Sequence, residues 1–165
     1  VRSVAFHEGT LRYAIHHLKY RGRRELGAVL GRMLFTYWRG TDLTADLVIP
    51  VPLHPNRKRE RGYNQSGLLA SALAERADLA LDEVHLIRAR ATPPQVGLGA
   101  EARQVNVKDA FAWVGDRLTG VRVLLIDDVC TTGATLAACA SPLHQAGATA
   151  VWALTLARAR ARLLE

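Results

Sequence analysis

VRVLLIDDVCTTGAT, Val121 to Thr135, reads as three consecutive pieces of structure. Val123, Leu124, Leu125 and Ile126 form an unbroken apolar run. That run suits a strand buried on both faces of a parallel sheet. Asp127 and Asp128 follow at once, where the strand is expected to end. Cys130, Thr131, Thr132, Gly133, Ala134 and Thr135 make a loop of small residues, and Leu136, Cys139, Ala140 and Leu143 then recur at helical spacing. Strand, loop and helix bring backbone N–H groups and a helix start to the C-terminal edge of a sheet. Ligands of open α/β sheets bind at that edge, and phosphate is the anion such a helix start favours.

The side chains suit a sugar phosphate. Three threonine hydroxyls and a glycine can surround a monophosphate. Two carboxylates can accept hydrogen bonds from vicinal ribose hydroxyls, or help place Mg²⁺ through water. A plain βα turn, with threonines capping the helix and solvated aspartates, would need neither the acid pair nor the glycine. No lysine follows Gly133, so the stretch is not a GxxxxGK[ST] loop. Gly97 to Ala102 matches GxGxxA in form but follows Thr92-Pro93-Pro94-Gln95 rather than a strand, which makes it a chance match. An apolar run, Asp-Asp and then Val-x-Thr-Thr-Gly-x-Thr is similar to the phosphoribosyl pyrophosphate (PRPP) signature of type I phosphoribosyltransferases.

The 165 residues suffice for one domain with a full core, and the sequence is expected to be a single domain over 1–165. No apolar stretch approaches the length of a membrane span, and Arg2, His7, Glu8 and Arg12 interrupt any signal-peptide core. Cys130 and Cys139 offer neither a disulfide framework nor a zinc site, so a reduced, cytoplasmic chain is expected. Cys130 reads as a small residue packing a tight loop rather than a nucleophile. The net charge of +7, nearly all from arginine, suits phosphate oxygens and also nucleic acid.

Spacing predicts a short helix over 11–20 and a longer one from Glu25 to Trp38, ended by Gly40-Thr41-Asp42. His16 and His17 are adjacent on the first of these, point in two directions and do not suggest a metal site. Lys19 to Arg24 is a basic turn, either solvated or facing an anion. Leu47, Val48 and Ile49 read as a second buried strand, which the prolines at 50 and 52 should stop at Ile49. Pro52, Leu53 and His54 lead into a basic loop with Arg57, Lys58, Arg59 and Arg61, charges that would compensate a departing pyrophosphate. Helical spacing resumes at Leu68, Leu69, Leu73 and Leu79. Strands are expected at 85–89, 110–114 and 150–156, and a long loop at 92–107. Arg158, Arg160 and Arg162 read as a solvated basic tail.

Three further stretches accompany the signature: Leu18-Lys19-Tyr20-Arg21-Gly22; then Pro50-Val51-Pro52-Leu53-His54 with Arg61-Gly62-Tyr63-Asn64-Gln65; then Thr92-Pro93-Pro94-Gln95 with Arg103, Asn106 and Ala110-Phe111. In this order they resemble the ComF family of competence-associated, phosphoribosyltransferase-like proteins. The resemblance implies an α/β, type I phosphoribosyltransferase fold: a mainly parallel central sheet flanked by helices, with a small hood to which residues 1–40 contribute. It implies that Asp127 and Asp128 contact the ribose hydroxyls and that Cys130 to Thr135 hold the 5′-phosphate. It matches Pro52-Leu53-His54 to the pyrophosphate loop and 92–107 to a flexible closing loop, with Arg103 reaching the pyrophosphate. Many family members carry an N-terminal cysteine-rich zinc module, and this sequence has none.

The expected activity is transfer of a phosphoribosyl group from Mg²⁺-bound PRPP to a nitrogen acceptor, with Asp127, Asp128 and Arg103 as catalytic candidates. Mg²⁺ is expected to be held through PRPP and water. Two rivals stay open. One is a non-catalytic sensor of PRPP or a nucleotide. The other is an accessory protein for single-stranded DNA that uses Arg21–Arg24, Arg57–Arg61 and the tail. The family name adds a competence-machinery protein as a partner, and the residues leave oligomeric state open.

Overall fold

The computed structural model describes residues 1–89 and 110–160. Strand β1 (Arg2–Phe6) opens the chain and is followed by helices α1 (Gly9–Tyr20) and α2 (Leu26–Arg39). Strand β2 (Leu47–Pro50), the short helix α3 (Pro55–Arg61) and helix α4 (Gln65–Ala77) come next. Strands β3 (Ala80–Leu81), β4 (Leu86–Arg88), β5 (Phe111–Trp113) and β6 (Arg122–Cys130) lead to helix α5 (Ala134–Gln145) and strand β7 (Ala150–Arg158). Among the described residues, a five-stranded sheet runs in the order β1-β7-β6-β2-β3, with every pairing parallel. Strands β4 and β5 form a separate antiparallel pair.

Strand β6 lies at the centre because its apolar run can be covered on both sides. Leu124 and Ile126 pack with Leu154 and Leu156 of β7 against α1, α2 and α4. Val123 and Leu125 pack on the other face with Ile49, Ala153 and the Leu136, Cys139 and Leu143 stripe of α5. Helices α2 and α4 come close because Gly31 has no side chain: a Cβ there would lie 2.5 Å from that of Ala72. Among the described residues no helix is long and apolar enough to cross a membrane.

Four expectations about elements need correction. Strand β6 does not end at Ile126; it stays paired with β7 as far as Cys130, so both aspartates lie inside the strand. Strand β2 includes Pro50, because its neighbour Val51 donates the bond to the Ile126 carbonyl that keeps the ladder intact. The basic loop after it is helix α3. His54 Nδ1 accepts from the Asn56 N–H, proline stands in the first turn, and Gly62 leaves the helix with φ 78°. The last strand extends two residues further, to Arg158; Arg160 beyond it is exposed, as expected, and pairs at the surface with Glu8 at 3.2 Å over the Phe6 ring.

Candidate functional site

The C-terminal ends of β6, β2 and β7 converge on the acid pair. Asp127 stands opposite Thr155 of β7, and Pro50 of β2 is in register with Ile126 just before it. Residues Pro52, Leu53 and His54 therefore leave the sheet alongside the carboxylates. Asn64, the N-cap of α4, donates to the Val51 carbonyl at 3.1 Å and accepts from the Ser66 N–H, which fixes the start of α4 at the same edge.

The two carboxylates sit in different surroundings. Asp127 is partly buried. Its Oδ1 accepts from the Ser66 hydroxyl at 2.8 Å and from the Asp128 N–H at 2.9 Å. Burial, with the neighbouring Asp128 charge, pushes its carboxyl up to about 7, against the opposing pull of Lys19 and Ser66. Asp128 is 3% exposed and forms an ion pair with Lys19, which reaches it from the last turn of α1. Burial alone would raise the Asp128 carboxyl, but the Lys19 charge and hydrogen bond hold it below the ordinary carboxylate range. Burial likewise opposes the Lys19 ammonium, and Asp128 overcomes it, so Lys19 stays protonated above its usual range.

The loop beyond β6 turns at Gly133, whose φ of 82° suits glycine, into the N-terminus of α5. A Cβ at Gly133 would meet nothing within 4 Å, so backbone conformation rather than space selects the residue. Thr131 and Thr132 are exposed, Gly133 and Thr135 partly so, and Ala134 is buried. Thr132 Oγ1 accepts from the Ala134 N–H at 3.3 Å. Cys130 is buried, and burial raises its thiol, as expected of a packing residue.

The basic helix is less uniformly aimed. Arg59 is tied to the Asn56 side chain at 2.5 Å, and Arg61 donates to Gln65 and lies 5.3 Å over the Tyr20 ring. Arg57 is exposed, and its charge acts with burial to lower the Arg88 guanidinium at the end of β4. Arg103 and the 92–107 loop lie outside the described residues, as do Arg162 and the glycines at 97 and 99.

Sequence reasoning missed Lys19 and Ser66 as members of the site. Lys19 lay within the Leu18–Gly22 stretch, yet no local spacing ties it to residue 128. Ser66 directly follows Asn64-Gln65. The pairing bears on a metal. Asp128 already faces an ammonium, and Asp127 already accepts from a hydroxyl and an amide. Asp128 is thus taken up by the ammonium and Asp127 by protein donors on Oδ1, which disfavours the two together as a direct ligand set for Mg²⁺.

Comparison with known proteins gives the chain's family and fold. The DNA utilization protein YhgH of Salmonella typhi is 37% identical over 161 residues, covering 94% of this chain and 70% of its own. The chain belongs to the ComF family. Competence protein F of Haemophilus influenzae, 34% identical over 152 residues, covers 88% of the chain and 66% of its own length. ComFC of Bacillus subtilis is 28% identical over 159 residues, with 95% and 63% covered. No protein-family model matches the chain. Among solved structures, the glutamine PRPP amidotransferase of B. subtilis superposes with a TM-score of 0.58 at 19% identity, over 86% of this chain and 30% of the enzyme. The Leishmania donovani UMP synthase gives 0.51 at 17% identity, over 88% of this chain and 24% of its own. The ComF-family chain thus has the type I phosphoribosyltransferase fold, with a mainly parallel sheet flanked by helices.

Proposed function

We propose that this ComF-family protein binds PRPP at the C-terminal edge of its sheet and transfers the phosphoribosyl group to a nitrogen acceptor. The observation that carries the reading is the acid pair in the C-terminal part of the central strand, with the Gly133 turn into α5 just beyond that strand's end. In this reading Asp127 and Asp128 accept from the ribose hydroxyls, and residues 130–135 surround the 5′-phosphate. Pro52, Leu53 and His54 lie beside the diphosphate, with Arg57, Arg59 and Arg61 of α3 supplying positive potential and Arg103 assigned to the same oxygens.

The chemistry asked of these groups is electrostatic. The bond from the anomeric carbon to the diphosphate oxygen breaks, its electron pair leaves with pyrophosphate, and the carbon gains oxocarbenium character. A nitrogen lone pair forms the new bond, and the proton that nitrogen sheds goes to solvent. The acid pair fixes the ring and sits near the positive carbon, while the basic helix stabilises the leaving group. Mg²⁺ belongs to this proposal only as a companion of the ligand's diphosphate. The proposed setting is the cytoplasm, and the names of the relatives point to DNA utilization or competence as the process.

Calorimetric titration of PRPP with Mg²⁺ into the native chain and into Asp127→Asn/Asp128→Asn tests the pocket. Binding lost in the folded double variant is the expected result. Absence of binding by the native chain removes the reading. Tight binding without pyrophosphate release across a broad panel of nitrogen acceptors would favour a sensor.

One observation favours a second role beside the first. Arg24 lies 4.7 Å over the Tyr63 ring and reaches the Gly62 carbonyl at 3.4 Å, and Arg61 covers Tyr20. The α1–α2 turn and α3 therefore form one basic surface, with Tyr20 exposed and Tyr63 buried beneath it, which suits the backbone of single-stranded DNA. Log affinity for an oligonucleotide should fall steeply with log salt, and a flat response would remove this role.

A further inference from the structure

Lys19 is held in place by more than its own ion pair. Three consecutive residues at the end of α1 are each engaged by a different part of the chain. The Leu18 carbonyl accepts from the buried Tyr63 hydroxyl, Lys19 pairs with Asp128, and the Tyr20 ring lies under Arg61. Leu18 itself is fully buried in the core beneath α2 and α4. The side chain of Lys19 is 22% exposed and that of Asp128 4%. An ammonium delivered this way is a fixed part of the carboxylate pair's surroundings, not a surface lysine that happened to fold over.

We infer that Lys19 is the resident counter-ion of the Asp127–Asp128 pair, and that with it in place the pair binds the ribose diol of a sugar phosphate without a divalent cation at the carboxylates. The inference rests on the proposed sugar-phosphate reading of the site and adds to it the group that makes two adjacent acids compatible with an anionic ligand. Two carboxylates beside a phosphate dianion repel it, and the repulsion is strongest where water is excluded. Lys19 cancels one carboxylate charge from within the protein. Ser66 and the Asp128 amide occupy Oδ1 of the other carboxylate and so fix the direction in which its second oxygen faces the ligand. The nearby His7, beyond β1, does not substitute for the ammonium. Burial, with the charges of Lys19 and Arg12, lowers its imidazole, so near neutral pH it adds no charge.

The test uses ribose 5-phosphate, which keeps the diol and the monophosphate but has no diphosphate to carry a metal. It is titrated calorimetrically into the native chain, Lys19→Met and Lys19→Arg, each with Mg²⁺ and with EDTA. The native chain should bind equally in both conditions. Lys19→Met should bind more weakly in EDTA, on the order of tenfold, and recover part of the loss with Mg²⁺. Lys19→Arg should keep metal-independent binding. A merely structural lysine would not produce the change in metal response. Should Lys19→Met fail to fold, Lys19→Gln keeps a donor to Asp128 without the charge and should show the same weakening in EDTA and part recovery with Mg²⁺. Equal binding to the native chain in both conditions overturns the inference. It is also overturned if native binding needs Mg²⁺, if Lys19→Met matches the native chain in both conditions, or if PRPP binds while ribose 5-phosphate does not. Failure of both ligands overturns the sugar-phosphate reading itself.

Discussion

Strand β6 carries a carboxylate–cation pair at each end, and the two could hardly be used more differently. At its start, Arg122 forks onto Asp46, with Nε at 2.9 Å from one oxygen and Nη2 at 2.5 Å from the other. Its backbone N–H adds a bond to the same carboxylate, and Thr44 takes the remaining Nη1. Both side chains are 42% exposed. Near its end, an Asp128 with almost no exposure meets a Lys19 that is only 22% exposed, with a second carboxylate next door. The first pair has the better geometry and the weaker claim on stability, because water screens it. The second has a single cation for two acids, and its removal leaves a buried charge with no partner. Geometry alone does not say which ion pair matters; the dielectric around it and the charges left over do.

The sharpest way to break this contrast is to delete the cations in turn. Lys19→Met should destabilise the fold by about 3 kcal/mol near neutral pH, a loss in Tm of about 10 °C by thermal unfolding. Adding Asp128→Asn should return much of that loss. If Lys19→Met unfolds at the native temperature, the buried pair is no stronger than a surface one.

Acidity offers the next test. Because the folded Asp127 carboxyl titrates near 7, the folded chain holds a proton that the unfolded chain has shed across roughly pH 4–7. Stability carried by that group therefore falls as pH rises through the window. Asp127→Asn keeps the oxygen that accepts from Ser66 but loses the titration. Its unfolding free energy should exceed that of the native chain at pH 8 by on the order of 2 kcal/mol, with the gap closing towards pH 4. An equal gap at both pH values would mean that the neighbouring acid has no such influence.

Gly133→Ala probes the loop beyond the same end of the strand. With open space around the position but φ in the left-handed region, the cost should be about 1 kcal/mol of stability. Titration with PRPP should also show weaker binding. Smallest of all, Arg122→Met should leave PRPP affinity unchanged and Tm nearly so. A large loss there would erase the distinction between the two ends.

The sequence disclosed most of what lies on one element and little of what joins two. The stripes of α2 and α4 and the Val123–Ile126 run were legible because burial leaves a periodic trace. The residue types place the acid pair where the strand ends, since consecutive charges follow the apolar run at once. Their place inside β6 depends on main-chain pairing with β7, which residue types do not record. Helix α3 was hidden by its own charge, although His54-Pro55 at one end and Gly62 at the other were caps in plain view. Strand β1 left too weak an alternation to notice, and Lys19 had no local signal at all.

The order of the sheet has a consequence for how the protein is made. Strand β1 lies beyond β7, so the earliest of the described strands has its only neighbour among them in the latest. While the chain is still emerging, β1 has no edge to join, and the lysine poised at the end of α1 waits for an aspartate that has yet to be translated. Assembly of this edge is therefore a late event, and a ribosome stalled after α5 would carry a sheet with one margin open.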